Sequence, residues 1–357
     1  MNIIKEPMED TERSPFSGKR PVFLHTLEND NGMKISLSEL GAAVTKVLVP
    51  DRDGTLENVV LGFDDAHDYR VHKDLCLGAT IGRTAGRIAG GQFTLNDKVY
   101  QLTQNSGKNN LHGGLEFSTA VWDSEDVLTG DTATVIFSYK SPRGSHGFPG
   151  TVFAKVYYTL SNDDTVQIRF QAAADEDTIV SLTNHTYFNL SGNLKHDILD
   201  HSMKADVCDF FEVDDESLPT GKAVPVECTP FDFTRGRMLR SGITTTYPQN
   251  VLVGNGYDHP LRFEPNGEHT VTLSDNESGR SVSIHSDFPG FVLYTGNFLG
   301  EGYNLCGVPA KDHLGVAIEM QEPPDAIHHD NFPSPILRAG DIYRHEIQWS
   351  FHTESQH

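Results

Sequence analysis

Apolar and polar residues alternate with a period of two along much of the chain. Apolar residues fill every second position of 166–170, with polar residues between them, which is typical of a strand buried on one face. Residues 152–160 repeat this alternation, but their second face also carries Phe153 and Tyr157. That pattern predicts a strand covered on both sides, as between two packed sheets. A closing strand is indicated by four residues of one parity: Tyr343, Ile347, Trp349 and Phe351.

Sequences that favour tight turns separate the apolar runs. They are rich in Asp, Asn, Gly and Pro and lie at residues 51–54, 96–97, 161–164 and 265–267. The pattern contains no long amphipathic helix, and short helical turns are predicted only at 64–69 and 195–200. Strands and helices therefore do not alternate. The sequence predicts an all-β fold, a large antiparallel β-sandwich with few short helices.

The chain shows no internal repeat and no linker rich in Pro, Gly or Ser. All-β sandwiches often exceed the usual size of a domain, so a length of 357 residues does not require two domains. We expect a flexible N-terminal arm at residues 1–20 and a single β-sandwich domain at residues 21–357.

The charge balance excludes several classes of partner. The chain carries 28 Lys and Arg residues and 50 Asp and Glu residues, a formal net charge of −22 with histidine neutral. Such a surface repels phosphate backbones and anionic lipids, so we expect neither nucleic acid nor a membrane as a partner. Residues 1–15 do not resemble a signal peptide, and the four scattered cysteines form no Cys-x-x-Cys pair. A cytoplasmic protein fits best, and the sequence leaves both a monomer and a homodimer open.

A strand predicted at residues 315–321 carries the first candidate for chemistry. Its alternation places Ala317, Glu319 and Gln321 on one face and apolar residues on the other. The polar face is either a solvated outer surface or a surface that presents a carboxylate and an amide to a polar ligand. Partial burial would raise the pKa of the Glu319 carboxyl group and suit it to act as a base near neutral pH.

The second candidate is a histidine within the segment 181–190. His185 lies there among hydrogen-bonding and aromatic side chains, with no cysteine or second histidine nearby. A histidine can give or take a proton near neutral pH, and the neighbouring ring of Tyr187 suits the apolar face of a sugar. Together with the distant Glu319, His185 forms a candidate acid–base pair.

Two glycine-rich segments suggest ligand contacts. His112 precedes two glycines, which either let the backbone approach a ligand closely or only form a turn. Residues 82–91 combine Arg83 and Arg87 with small residues but match neither a Walker loop nor a Rossmann fingerprint. An arginine fork beside glycines suits sugar hydroxyls, and a solvated surface loop is the alternative.

Two further segments carry polar candidates. Asp258 precedes a rigid turn at Pro260, where it either accepts hydrogen bonds from a ligand or caps its own turn. The adjacent residues His328 and His329 suggest a metal, but neighbouring histidines on an extended chain point to opposite sides. We therefore expect no metal site there.

Together these segments resemble the aldose 1-epimerase family, whose members are also called galactose mutarotases. The resemblance covers nearly the whole chain, and the landmarks occur in the family's order and spacing. They are residues 41–42, 58–62, 82–83 with 87–88, 111–114, 147–150, 184–190, 229–233, 257–259, 294–298, and Glu319 with Pro324 and Asp325.

The resemblance implies a large antiparallel β-sandwich with an open sugar cleft. It implies interconversion of the α and β anomers of free aldohexoses such as glucose and galactose, with no cofactor and no metal. By this resemblance Glu319 is the general base and His185 is the general acid. The positions expected to bind the sugar are Arg87, His112, Tyr187, Asp258 and Gly86.

The chain departs from the family pattern at two positions. Family members commonly carry Asn where this chain has Gly86, so a side-chain amide contact to the sugar is lost unless water or backbone replaces it. Many relatives carry Trp or Leu where this chain has Pro323. Both departures bear on the preferred sugar more than on the reaction.

We hypothesise that ionised Glu319 removes the proton of the C1 hydroxyl while protonated His185 supplies a proton to the ring oxygen. Their opposite charges lower the pKa of the carboxyl group and raise that of the imidazole, whereas burial acts in the opposite direction. The sequence leaves this balance open.

Three other functions remain as alternatives. A glycoside hydrolase would use Asp258 and Glu319 as paired carboxylates. A hexose-6-phosphate 1-epimerase would need cations for the phosphate, for which Arg83 and Lys108 are the candidates. A non-catalytic carbohydrate-binding protein could use the same fold.

Overall fold

The computed structural model describes residues 1–11 and 20–354. Strands account for 46% of the residues and helices for 10%, which confirms the predicted all-β fold. Neighbouring strands in the three largest described sheets pair antiparallel. The predicted large antiparallel β-sandwich is therefore confirmed.

The strands are numbered in chain order. They are β1 Asn2–Pro7, β2 Phe23–Glu28, β3 Lys34–Ser38, β4 Ala43–Pro50, β5 Leu56–Asn58, β6 Thr80–Ile81, β7 Arg87–Ile88, β8 Gln92–Leu95, β9 Lys98–Gln101, β10 Asn110–Leu111, β11 Asp123–Leu128, β12 Thr132–Ser141, β13 Val152–Ser161, β14 Thr165–Ala174, β15 Thr178–Ile179, β16 Thr183–Asn184, β17 Tyr187–Phe188, β18 Ser202–Ala205, β19 Val207–Val213, β20 Pro219–Pro225, β21 Arg237–Met238, β22 Asp258–Phe263, β23 Thr270–Ser274, β24 Arg280–Ser286, β25 Gly290–Tyr294, β26 Asn304–Leu305, β27 Val308–Pro309, β28 Val316–Met320, β29 Ile336–Leu337 and β30 Ile342–Thr353.

The helices are short. They are α1 Ala66–Val71, α2 Glu116–Thr119, α3 Arg240–Ile243 and α4 Pro248–Leu252, with 3-10 turns at Lys73–Leu75, Ala89–Gly91, His112–Leu115, Ser145–Gly147 and Ala326–His328. The turn predicted at 64–69 corresponds to α1. The Asp65 side chain caps the start of this helix by accepting a hydrogen bond from the His67 N–H. The turn predicted at 195–200 is not helical. Backbone groups of that segment bond to other parts of the chain: the His196 carbonyl accepts from Asn189 Nδ2 at 2.7 Å and the Ile198 N–H donates to the His313 carbonyl at 3.0 Å. They are therefore not available for the hydrogen bonds of a helical turn.

Three sheets surround the main core of the described residues. Their strand orders are β1-β2-β3-β4-β5, β11-β12-β13-β14-β30-β24-β23-β18-β21 and β17-β28-β25-β22-β19-β20. One hydrophobic cluster joins all three, with Val47 from the first sheet, Phe170 and Trp349 from the second, and Ile318 from the third. The six-stranded sheet therefore has one face in the core, and its other face is free to form a site.

The expectation that residues 152–160 are covered on both sides is wrong. Phe153 is 51% exposed and Tyr157 is half-buried. Cationic side chains lie over these outward rings: Lys140 Nζ is 5.6 Å from the Phe153 ring centre and the Arg169 guanidinium is 4.4 Å from that of Tyr157. Such contacts let aromatic rings occupy a solvated face without a second sheet above them.

The N-terminal segment is partly ordered in a sheet. Residues Asn2–Pro7, which fall within the expected flexible arm, form β1 and pair along their whole length with β2. Residues 12–19 of that arm lie outside the described residues, so the division of the chain at residue 20 stays a prediction. In the described part of the chain, no helix is both long and apolar enough to span a bilayer.

Candidate active site

The register of the six-stranded sheet brings polar residues from four strands onto one face. Tyr187 of β17 lies opposite Ala317 of β28. Ala317 lies opposite Tyr294 of β25, which in turn lies opposite Asp258 of β22. Directly opposed residues of an antiparallel pair project to the same side. Glu319 lies two positions beyond Ala317 and therefore projects from this face as well.

The two faces of β28 are one apolar core face and one face with a carboxylate, as the sequence predicts. Val316, Ile318 and Met320 lie in the main core. Glu319 is only 3% exposed, so its face forms the floor of a cleft and not a solvated outer surface.

Gln321 orients the Glu319 carboxyl group. Gln321 Nε2 donates a hydrogen bond to Glu319 Oε2 at 3.3 Å. The other oxygen, Oε1, lies 3.5 Å from His185 Nε2. Gln321 was on the predicted polar face but not among the predicted site residues, and its parity with Glu319 was the available signal.

The backbone of His185 is fixed on both sides. Its N–H donates to the Ala79 carbonyl and its own carbonyl accepts from the Gly78 N–H, both at 2.9 Å. The preceding Asn184 donates from Nδ2 to the Gly78 carbonyl at 2.9 Å and accepts from the N–H and hydroxyl of Thr186. These bonds shape the loop that aims the imidazole into the cleft.

A two-stranded ladder forms the opposite wall. Leu111 of β10 lies opposite Arg87 of β7, and the His112 N–H donates to the Gly86 carbonyl at 2.9 Å. The Gly86 N–H in turn donates to His112 Nδ1 at 3.2 Å. Because Nδ1 accepts, the hydrogen of a neutral His112 imidazole lies on Nε2. His112 therefore presents an N–H donor to a ligand.

All seven predicted site residues line one cavity of about 280 Å³: Gly86, Arg87, His112, His185, Tyr187, Asp258 and Glu319. This volume lies near the lower end of small-molecule sites, about 300 Å³, which suits one sugar ring. Further lining residues were not predicted as site residues: Asp74, Ser217, Tyr294, Phe298, Gln321 and Pro324 among them. Tyr294, Phe298 and Pro324 stand within the landmark segments, whereas Asp74 and Ser217 lie in turns without a sequence signal.

Burial sets the proton distribution of the central pair. Loss of solvation raises the pKa of Glu319 to about 8, and the charge of Asp258 adds to this effect while Arg87 opposes it. Burial lowers the pKa of His185 to about 4. At neutral pH the ligand-free cleft therefore holds one proton on Glu319 beside a neutral His185. This resting state differs from the hypothesised ionised Glu319 and protonated His185, because burial outweighs their mutual attraction.

Burial also shifts the pKa values of the surrounding titratable groups. The pKa of Asp258 is raised by loss of solvation, and Arg87, whose Nη1 lies 4.0 Å from the carboxylate, acts in the opposite direction. The pKa of His112 is lowered well below its usual value by burial, with His185 and Arg87 adding to the shift. His112 thus stays neutral near pH 7 and is suited to hydrogen bonding and not to supplying a proton.

The space beside Gly86 is filled by Pro324. Gly86 has φ +72°, and a Cβ there would lie 2.6 Å from both Cβ and Cγ of Pro324. A longer side chain at position 86, such as the Asn of many relatives, therefore requires Pro324 to move. The backbone N–H of Gly86 still contributes to the site, because its hydrogen bond to Nδ1 holds the His112 ring. Pro323 is not among the residues that line the cleft.

The donor chemistry of the cleft does not suit a metal ion. Ligand atoms of His112, His185 and Glu319 lie within 4.8 Å of one another. However, His112 Nδ1 is occupied by the Gly86 N–H, and its Nε2 carries the hydrogen. His112 thus offers no free lone pair without losing its backbone bond.

His328 and His329 do not point to opposite sides as expected. His328 Nδ1 lies 2.6 Å from Asp325 Oδ1, and His329 Nε2 lies 3.7 Å from Asp325 Oδ2. The reason is that the turn Ala326–His328 replaces the extended chain that the expectation assumed. Asp325 Oδ1 also accepts from the Ala89 N–H at 3.0 Å. The carboxylate therefore ties this turn to the segment that carries Arg87.

Comparisons with known proteins agree with this geometry. Residues 24–350 match the family model described as aldose 1-epimerase. The chain is 35% identical to bovine galactose mutarotase, over 91% of this chain and 92% of that protein. It is 34% identical to aldose 1-epimerase of Haemophilus influenzae, over 92% and 95% of the two chains. The crystal structure of galactose 1-epimerase from Lactobacillus acidophilus superposes with a TM-score of 0.87 at 27% identity, covering 99% of both chains.

Proposed function

Because this chain belongs to the aldose 1-epimerase family and interconverts the α and β anomers of aldoses, we propose that Glu319 and His185 carry out the two proton transfers of that reaction. The observation that supports this proposal is their contact, Oε1 to Nε2 at 3.5 Å, within a cavity of the size of one sugar ring. Both groups are buried, and one proton is shared between them near neutral pH.

Anomer exchange opens the hemiacetal ring, rotates the C1–C2 bond and closes the ring on the other face of the carbonyl. Glu319 takes the proton of the C1 hydroxyl as the C1 oxygen becomes a carbonyl. The bond between C1 and the ring oxygen breaks, and that oxygen takes a proton from His185. Closure reverses both transfers, so that each residue returns to its starting state.

In the reactive form Glu319 is ionised and His185 is protonated, whereas in the resting form Glu319 carries the proton and His185 is neutral. The two forms differ only in the position of this one proton. Burial raises the pKa of Glu319 and lowers the pKa of His185, so both shifts favour the neutral pair. Opposite charges 3.5 Å apart attract by roughly 5 kcal/mol at an effective dielectric constant of about 20. This attraction offsets part of the effect of burial, and moving the proton from Glu319 to His185 forms the ion pair without any change in net charge.

The other cavity residues hold the sugar in this proposal. Arg87 and Asp258 offer a guanidinium and a carboxylate to hydroxyl groups. His112 offers its Nε2–H, and the ring of Tyr187 covers an apolar sugar face. Tyr187 lies 4.9 Å from the His185 ring, measured between ring centres, so it also limits where the sugar can sit.

Neutral sugars fit this cleft better than phosphorylated ones. Arg83, one candidate phosphate ligand, is fully buried and donates to Ser141 Oγ at 2.8 Å and to the Pro149 carbonyl at 2.7 Å. Lys108, the other candidate, is paired with Glu216 at 2.8 Å and does not line the cavity. Among the described residues that line the cleft, Arg87 is the only Lys or Arg, and it already faces a carboxylate.

Polarimetry of freshly dissolved sugars tests the proposed substrate class. We expect the protein to speed the approach of α-D-glucose and α-D-galactose to their unchanged final rotations. For glucose 6-phosphate we expect kcat/KM to be at least ~10-fold lower, because the phosphate meets carboxylates with no unpaired cation. Equal or faster turnover of the phosphorylated sugar would contradict this. An aryl glycoside serves as the control for the hydrolase alternative, since an epimerase releases no phenol.

We also propose that the protein works in the cytoplasm on free sugars, as a monomer or a homodimer. The net charge of −22 supports a soluble acidic protein, and all four cysteines carry free thiols. Size-exclusion chromatography with light scattering distinguishes the two oligomeric states.

A further inference from the structure

A second group of side chains that could hold a metal ion, His196, His201 and Asp275, lies outside the sugar cleft, with Glu277 close to His196. His196 follows β17 along the chain, whereas Asp275 and Glu277 lie in the turn between β23 and β24. His196 Nε2 is 3.5 Å from Asp275 Oδ1 and 3.6 Å from Glu277 Oε2. None of these three residues lines the sugar cavity.

His196 has the tautomer that a metal ligand needs. Its Nδ1 lies 2.8 Å from the Asp197 carbonyl oxygen, and only a protonated Nδ1 can make that bond. In the neutral ring Nε2 therefore carries a free lone pair. This Nε2 is buried and has no hydrogen-bond partner in the described part of the chain. Metal-bound histidines usually donate their second ring N–H to a carbonyl or carboxylate in this way.

Two carboxylates approach the free lone pair of His196. Asp275 is 2% exposed, and its Oδ2 accepts from the Ser278 N–H at 2.8 Å, which leaves Oδ1 directed at His196. Glu277 is 84% exposed at its side chain and approaches from the solvent side. In a tetrahedral zinc site with bonds of about 2.0–2.1 Å, neighbouring ligand atoms lie ~3.3 Å apart. The observed separations of 3.5 and 3.6 Å are close to that spacing.

A fully buried imidazole faces the same space. His201 Nδ1 lies 3.9 Å from Asp275 Oδ1 and has no hydrogen-bond partner among the described residues. His201 Nε2 accepts from the Leu190 N–H at 2.8 Å, so Nδ1 carries the hydrogen and cannot bind a metal. It can donate to Asp275 or to an oxygen held on the metal, which is the role of an outer-shell group.

We propose that His196, Asp275 and Glu277 bind a divalent transition metal ion, with solvent as the fourth ligand and His201 in the outer shell. One imidazole and two carboxylates match zinc, the ion for which tetrahedral N and O ligands are common. The site would join two segments about 80 residues apart in sequence, 196 and 275–277. Occupancy would therefore also stabilise the fold, since a ligand that binds only the folded state favours it.

Calorimetric titration of the untagged protein with zinc chloride at neutral pH tests this site. We expect one zinc ion per chain and a melting temperature that rises with zinc concentration. His196→Ala removes a direct ligand and should weaken binding more than the ~10–100-fold that loss of an outer-shell group causes. Glu277→Gln changes an exposed side chain, carries little risk to folding, and should weaken binding in the same direction.

Two controls separate this site from others. His352→Ala removes an exposed histidine of β30, and Glu319→Gln removes a carboxylate from the sugar cleft; both should leave the zinc affinity unchanged. His196→Ala should retain the mutarotation rate, so this test does not depend on the catalytic proposal. Absence of zinc binding, or binding that survives both His196→Ala and Glu277→Gln, would overturn the assignment.

Discussion

Replacing Glu319 by Gln is expected to lower kcat by about 10²–10⁴, the usual contribution of one positioned general base, or about 3–5 kcal/mol. Gln keeps the shape of the side chain and its contact with Gln321 but cannot accept the C1 hydroxyl proton. Sugar contacts of Arg87, His112 and Asp258 remain, so KM should change little. Polarimetry over a range of galactose concentrations gives kcat and KM, and calorimetry gives the sugar dissociation constant as a check.

The folded state of the Glu319→Gln variant should be at least as stable as that of the parent near pH 7. The pKa of Glu319 is raised to about 8 by burial, so folding opposes its ionisation. The stability associated with this group is present below its unfolded pKa near 4.5 and is lost as the pH rises towards 8. Removing the ionisable group therefore removes a penalty at pH 7.

Glu39→Gln is the matched control for this variant. Glu39 is also buried, at 1% exposure, but the neighbouring His25 and hydrogen bonds from Ser124 and Lys5 lower its pKa to about 2 despite its burial. The stability from its ionised form is fully present above the unfolded pKa near 4.5 and is lost as the pH falls towards 2. Near pH 7 the control should therefore lose stability but keep its kcat. Near-normal turnover in Glu319→Gln, or equal loss in both variants, would remove the base assignment.

The second large effect is expected at His185. His185→Asn should lower kcat by about 10²–10⁴ because the ring oxygen loses its proton donor. The backbone bonds of residue 185 to Ala79 and Gly78 do not involve the imidazole, so the loop should keep its shape. Stopped-flow polarimetry gives kcat, and sugar titration gives the dissociation constant.

A control variant distinguishes proton transfer from packing at His185. His25→Asn removes another fully buried imidazole, which lies 2.6 Å from Asp126 and outside the cleft. It should reduce stability without reducing turnover per folded molecule. If His185→Asn raised KM and left kcat unchanged, His185 would be a binding residue and the acid role would pass to another group.

Local sequence pattern predicted the strand of Glu319 well. The alternation of 315–321 separates one polar face from one core face, and β28 keeps that division. The pattern does not tell which strands become neighbours. Tyr187, Ala317, Tyr294 and Asp258 meet through a register of distant segments, and only the resemblance to a family placed two of them, Tyr187 and Asp258, in one site.

The parts that could not be predicted depend on tertiary surroundings. Phe153 faces solvent beneath Lys140, which apolar periodicity alone cannot foresee. The backbone of residues 196–198 bonds to other segments instead of closing a helical turn, and Leu194 before it is buried in a second hydrophobic cluster. The proton distribution of Glu319 and His185 depends on how deeply the cleft is buried, and burial is a property of the folded chain.

The pH dependence of kcat/KM tests the shared proton most directly, because it reports ionisations of the free enzyme. The pair of Glu319 and His185 holds two protons below about pH 4 and none above about pH 8. Catalysis needs one proton on the pair, so that one group can accept while the other donates. These limits belong to the pair as a unit and not to a single residue.

Initial rates of galactose mutarotation should therefore be measured across this range, corrected for the uncatalysed reaction, with circular dichroism to confirm folding at each pH. The predicted profile is bell-shaped, flat between the two limits, with kcat/KM falling about tenfold per pH unit on the alkaline side of 8. A rate that stays level well above pH 9, with the protein still folded, would contradict the shared-proton mechanism.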